Sequence, residues 1–312
     1  MTPLRIIFAG SGEFGLPTLR ALLDAGHEVP LVASQPDRPA GRGRALTPTP
    51  IAQFALERSL PLVRTANLNA EPIPEADLLL VIAFGQKVGE PLAHRPRLGS
   101  ANLHASKLPL YRGAAPINWA ILRGEALTGN SVIRLAPKMD AGAILGQSLV
   151  PIDPLETAGE LHDRLAADGA GLVLRIIAAL ATGTAQEWEQ DDAYATSAPK
   201  LGRESARLDW SEPPADLANR IRGLYPWPGC RVRLLDVAGK ELGRATLVRA
   251  RPAQPNAVGS IPPGAIDPAG HVGAGSGAVE IIEIQPEGKR PMPLDAYRNG
   301  HDWLPGMRVE SV

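Results

Sequence analysis

The chain has 312 residues, 44% of them hydrophobic and 21% charged, long enough for two cored domains that need neither a metal nor a disulfide to stay folded. A formal net charge of −1 excludes a uniformly basic nucleic-acid coat, and a single cysteine, Cys230, excludes an internal bridge. That cysteine usage favours a reducing, cytoplasmic compartment; no Cys/His cluster has zinc-ligand spacing, and no apolar run approaches the roughly 20 residues needed to span a bilayer.

Residues 1–5 run directly into a strand pattern without the anatomy of a signal peptide, so a cytoplasmic setting is expected. Residues 4–9 are a short apolar run that ends in glycine, and Leu16, Leu19, Leu22 and Leu23 then mark a helix closed by Gly26. A second strand is predicted over 29–34. Residues 77–83 are almost unbroken in their apolarity, as in a central parallel strand covered on both faces. The clearest helix is 157–180. Thr157 and Glu160 have capping-box spacing, Leu161, Leu165, Leu172 and Ile176 form an apolar stripe, and Gly183 lies beyond its end. Strands alternating with helices predict an α/β, doubly wound sheet.

After about residue 190 the texture changes. Residues 191–207 are polar and aperiodic, a linker by composition. Strand-like runs over 231–236, 245–250 and 278–285, broken by Gly and Pro, predict a small all-β, OB-like barrel over 208–312. Residues 220–251 carry Arg220, Arg222, Arg231, Arg233, Lys240, Arg244, Arg249 and Arg251 against Asp236 and Glu241, a local excess of six positive charges. A basic RNA-facing surface and an ordinary solvated face are equally compatible with that count.

The first turn, Gly10-Ser11-Gly12-Glu13-Phe14-Gly15, matches G-x-G-x-x-G, with Asp37 some way downstream. Glu13 is a poor neighbour for a pyrophosphate and Asp37 sits in a Pro-rich loop, so a tight strand-to-helix turn is the better reading than a nicotinamide site.

The chemistry concentrates in residues 99–119. Asn102 and His104 are two apart on a short extended piece, so their side chains share one face. That piece follows the central strand, which places its end near the switch point where open α/β sheets bind ligands. The segment continues as S-x-L-P-x-Y-R-G-A-A-P-I through Ser106, Leu108, Pro109, Tyr111, Arg112, Gly113 and Ala114, and Lys138-Met139-Asp140-Ala141-Gly142 follows.

On these motifs the chain resembles the folate-dependent formyltransferases. Residues 35–50, with Arg38, Arg42 and Arg44, are similar to the loop with which the tRNA-acting members grip the acceptor end. Lys200-Leu201, the segment 206–210 and Tyr225-Pro226-Trp227-Pro228-Gly229 extend the likeness over nearly the whole chain. The resemblance implies a Rossmann-like catalytic domain over 1–190, and Asn102, His104 and Asp140 as the catalytic trio. It implies 10-formyltetrahydrofolate as co-substrate, contacted by Phe84, Gly85, Ser106, Leu108, Pro109, Arg112, Gly113 and Ala114. It also implies initiator methionyl-tRNA as formyl acceptor, contacted by Arg38, Arg42, Arg44 and Lys200. No metal and no membrane are implied, and a monomer is expected.

The residue types suit the chemistry. A side-chain amide can donate to a developing oxyanion, a contribution of roughly 3–4 kcal/mol per donor. Imidazole exchanges protons near neutrality, and Asp140 can orient it, favour its charged form or help protonate the leaving nitrogen. Asp140-Ala141-Gly142-Ala143 departs from the common D-T-G-D and matches wording found in sugar-nucleotide formyltransferases. An amino-sugar acceptor and a non-catalytic RNA-binding role therefore stand beside the tRNA reading, the intact trio weighing against the second.

Overall fold

The computed structural model describes residues 3–40, 43, 45–254 and 261–312. Arg42 and Arg44 lie outside the described residues. The chain forms two compact units, one of Met1–Gly113, Thr128–Val150 and His162–Ser197, the other of Ala114–Leu127, Pro151–Leu161 and Ala198–Val312.

In the first unit, β1 (Arg5–Gly10), β2 (Glu28–Ser34), β3 (Leu62–Arg64), β4 (Leu78–Ile82), β5 (Ser100–His104), β6 (Ser131–Arg134) and β7 (Ile144–Gln147) form one sheet in the order β7-β6-β5-β4-β1-β2-β3. The strands from β3 to β5 along that order pair in parallel, whereas β6 and β7 join antiparallel. This is the doubly wound, Rossmann-like sheet, with an antiparallel edge that the alternating pattern did not disclose. Every residue of β4 is buried, as expected for a strand with covered faces.

Helix α1 (Leu16–Asp24) has Pro17 in its first turn, and Gly26 beyond its end takes φ +79°. Helix α2 (Pro50–Glu57) is capped by Thr49, whose Oγ1 accepts from the Ala52 N–H at 3.1 Å. At the first turn, a Cβ on Gly10 would lie 2.7 Å from the Phe8 ring and 2.9 Å from the Ile82 carbonyl oxygen. The glycine there is required by packing, and Asp37 is occupied by Arg64 at 2.7 Å, in accord with a structural turn.

Helix α3 (Ala158–Thr182) begins at the expected capping box: the Thr157 N–H donates to Glu160 at 2.8 Å, and the Glu160 N–H to Thr157 Oγ1 at 3.4 Å. By length and composition alone α3 could cross a bilayer, contrary to the sequence expectation. Its Leu165, Ala166, Leu172, Val173 and Ile177 are nevertheless buried, the pattern of a core helix. Glycines let it approach the sheet closely: a Cβ on Gly169 would fall 2.7 Å from Leu103, and one on Gly146 2.5 Å from Ile176. Leu103 thus faces α3, and alternation along β5 turns Asn102 and His104 to the other face.

The second unit is a mostly antiparallel, nearly closed barrel. Strands β8 (Cys230–Leu235), β9 (Glu241–Pro252), β10 (Val272–Ala274), β11 (Gly277–Pro286), β12 (Met292–Pro293) and β13 (Arg308–Ser311) run in the order β10-β11-β9-β8-β13, with β12 on β11. Bridges Ala265↔Arg308 and Ile266↔Val272 join the outer strands and close the sheet. Its core holds Trp210, Ile221, Val232, Leu247, Ile284 and Trp303, packed under α4 (Pro214–Gly223). Cys230 is fully buried, and burial pushes its thiol up to about 12.

Candidate active site

The candidate site lies at the end of β5. Register pairs Asn102 with Val81 on β4 and with Ile133 on β6, and pairs His104 with Ser131. Asn102 is half-buried, and its side chain makes no hydrogen bond among the described residues. His104 is buried at 7% exposure, with Nε2 2.9 Å from the Tyr111 carbonyl oxygen and Nδ1 3.7 Å from Asp140 Oδ1. A carbonyl oxygen only accepts, so Nε2 is the nitrogen that donates to Tyr111, and Nδ1 is the one turned toward Asp140. At 3.7 Å that pair is an electrostatic contact rather than a hydrogen bond.

Both partners sit on unusual backbone. Tyr111 and Asp140 adopt φ +62° and +52°, the left-handed region that side chains seldom occupy. Asp140 Oδ2 accepts from the Gly113 N–H at 2.9 Å, which leaves Oδ1 for His104. Gly142 is obligatory: its Cβ would lie 2.0 Å from the Arg134 carbonyl oxygen.

The other expected residues fall into groups. Ser106 is buried and donates to the Leu110 carbonyl at 2.6 Å. Leu108, also buried, donates its N–H to Ser131 Oγ at 3.0 Å and precedes a cis bond to Pro109. Arg112 donates to Gln190 Oε1 at 2.7 and 3.0 Å and to Asp192 at 2.7 Å. Lys138 also reaches Asp192, and together Lys138 and Arg112 hold that carboxyl below its usual range.

Phe84 is buried just beyond β4 and Gly85 takes φ +74°. Their carbonyls accept from Gln35 Nε2 at 3.0 and 3.1 Å, while Gln35 Oε1 accepts from Arg38. Arg38 stands on a short hairpin, Arg38–Ala40 with Ala45–Thr47. Ala114 and Lys200 belong to the second unit and are exposed.

Gln190 and the Tyr111 carbonyl were not legible in the sequence. Gln190 donates to the carbonyls of Asp140 and Gly142 at 2.8 and 2.9 Å, yet it stands in a polar stretch without a period. The basic segment also reads differently in three dimensions. Arg220 pairs with Glu212, Arg233 with Glu310, Arg244 with Glu241, Arg249 with Glu160 and Glu283, and Arg251 with Glu280. Arg222 is buried. Arg222, Arg231 and Lys240 of that set show no ion pair among the described residues, but the acids paired with the other five remove most of the segmental excess of six charges.

Comparison with known proteins places the chain in a family. A formyl transferase model matches residues 4–177, and the model of the formyl transferase C-terminal domain matches residues 200–302. The methionyl-tRNA formyltransferase of Moorella thermoacetica is 39% identical over 313 residues, covering 97% of this chain and 98% of that protein. The one from Pseudomonas fluorescens strain Pf-5 is 42% identical over 294 residues, covering 92% and 90%. Among solved structures, the sugar 3N-formyl transferase WlaRD, obtained with dTDP and 5-N-formyl-THF, matches with TM-score 0.67 at 17% identity, covering 93% of this chain and all of that one. The N-formyltransferase from Helicobacter canadensis, in complex with folinic acid and dTDP-3-aminofucose, gives 0.67 at 15% identity, covering 91% and 99%. At those identities the structures speak for the fold alone. With both domain models matched in order and relatives at about two-fifths identity aligned almost end to end, the chain belongs to the formyl transferase family.

Proposed function

We propose that this enzyme transfers the formyl group of 10-formyltetrahydrofolate to the α-amine of methionine on initiator methionyl-tRNA, giving N-formylmethionyl-tRNA for translation initiation. The observation that carries the chemistry is the arrangement at the end of β5: an Asn102 amide with no hydrogen bond among the described residues, and His104 with Nδ1 3.7 Å from Asp140. The acceptor is carried by the relatives, which bear the methionyl-tRNA formyltransferase name over their full length.

The residues fit the folate donor, because a formyl oxygen needs a hydrogen-bond donor that the protein has not already used, and Asn102 offers one. The folate supplies an electrophilic carbon on a nitrogen that can leave. Asn102 donates to the formyl oxygen as negative charge develops there. His104 Nδ1 takes the proton that the attacking amine gives up as the new carbon–nitrogen bond forms, and Asp140 Oδ1 stabilises the imidazolium so formed. That proton passes to the folate nitrogen as the tetrahedral intermediate collapses and the carbon–folate bond breaks. The folate-contacting set is Phe84, Gly85, Ser106, Leu108, Pro109, Arg112, Gly113 and Ala114. Arg38, Arg42, Arg44 and Lys200 suit phosphate and acceptor-stem contact through their donors and charge. We assign catalysis to residues 1–190 and tRNA contact also to 208–312, joined by 191–207, in a monomer working in the cytoplasm without membrane attachment.

The test is single-turnover transfer to charged initiator tRNA by Asn102→Ala and His104→Ala. Each should lose roughly a hundredfold or more in rate while tRNA binding survives. Near-wild-type turnover in both would remove the site assignment.

A further inference from the structure

We propose that Gln190 is a positioning residue for the formyl transfer assigned above: its carboxamide fixes the backbone that aims Asp140 at His104. The inference rests on that functional reading and extends it to a side chain that touches no reacting atom.

The geometry is a closed ring of bonds within the first unit. Arg112 donates twice to Gln190 Oε1, at 2.7 and 3.0 Å, so the carboxamide has one permitted orientation, with its oxygen on the guanidinium. Nε2 must then face the opposite way, and it does, donating to the carbonyls of Asp140 and Gly142 at 2.8 and 2.9 Å. Asp140 Oδ2 returns to the Gly113 N–H at 2.9 Å, one residue from the arginine where the ring began.

This arrangement meets a specific need. Asp140 is held at φ +52°, which a side-chain-bearing residue keeps only where its surroundings over-determine it. Gly142 is packed too tightly against the Arg134 carbonyl to shift toward it. Two N–H donors on carbonyls flanking Ala141 lock the turn from the remaining side. Asp140 Oδ1 then stays 3.7 Å from His104 Nδ1, where a displacement of about 1 Å is enough to change a rate substantially. Arg112 accordingly has a part in the ring in addition to its expected folate contact.

Gln190→Glu separates the two halves of the role, because it keeps the shape and the acceptor toward Arg112 but loses both donors. We expect kcat for methionyl-tRNA formylation to fall about tenfold or more, with KM for 10-formyltetrahydrofolate within about threefold. In an Asp140→Asn background the same substitution should change kcat by less than about twofold, because the residue it positions is already disabled. A crystal structure of Gln190→Glu should show Asp140 out of the left-handed turn. Should that variant not fold, Gln190→Met, which keeps the volume without donor or acceptor, is read the same way. Wild-type kcat with Asp140 in place, or an equal loss in both backgrounds, overturns the proposal. A wild-type enzyme inactive on methionyl-tRNA would instead fell the functional reading, and the position of Asp140 in the Gln190→Glu crystals would still decide the ring.

Discussion

A carbonyl oxygen can only accept a hydrogen bond, and that restriction fixes which nitrogen of His104 is available for the proposed proton transfer: Tyr111 binds Nε2–H and leaves Nδ1 facing Asp140. The spacing of Asn102 and His104 was legible because two residues along a strand always share a face. The Tyr111 contact was not, since it depends on a left-handed residue seven positions away and leaves no mark in side-chain pattern. His27 shows the opposite use of imidazole. It is buried, its Nδ1 accepts from the Leu4 N–H at 3.1 Å, and among the described residues its Nε2 has no partner. Burial lowers its pKa below the ordinary 6.5, so the fold favours the neutral ring. The corresponding stability is complete above about pH 6.5 and is lost as pH falls through the lowered value, where the unfolded chain binds the proton first. Thermal melts between pH 8 and pH 5 should show the decline, and His27→Asn, whose Oδ1 can accept the same bond, should flatten it; an unchanged profile in that variant would assign the decline to other groups.

At the scale of elements, the strongly periodic pieces were the readable ones. The unbroken apolar run gave β4, and the capping box and stripe gave α3 to within a few residues. The antiparallel edge of β6 and β7 escaped notice because strands this short carry no sign of their direction. The turn at 138–142 was visible as a motif but not as a constraint. Gly142→Ala would bring a methyl group 2.0 Å from the Arg134 carbonyl oxygen, a backbone atom that cannot swing away. Overpacking of this kind costs about 1–3 kcal/mol, and here the strain falls on the segment bearing Asp140. We expect a lower unfolding midpoint in denaturant and a lower rate of transfer, read by equilibrium unfolding and by single turnover; wild-type values for both would show that the turn relaxes freely.

For the molecule as a whole, composition and texture disclosed two domains of different class, whereas the charge count left an RNA-facing surface and a solvated face equally open. The excess over residues 220–251 was real in the sequence, yet partners such as Glu160, Glu280, Glu283 and Glu310, remote in the chain, offset most of it. Segmental charge cannot anticipate pairing between strands that meet only in the folded barrel. If tRNA contact depends chiefly on the arginine-bearing segment around Arg38, then Arg38→Ala should lower the salt slope of tRNA binding by roughly one contact. Neutralising Arg244 or Arg251, each already paired, should leave that slope within error in a filter-binding titration, and a full-contact loss at either would restore the barrel face as the main RNA surface. The most direct measurement of the central claim is a paired acceptor assay: purified enzyme with 10-formyltetrahydrofolate, and either charged initiator methionyl-tRNA or a dTDP-amino-sugar. The account predicts rapid formylation of the methionyl-tRNA, slowed roughly a hundredfold or more in Asn102→Ala, and no product from the sugar nucleotide. Formylation of the sugar nucleotide with none of the tRNA would contradict it.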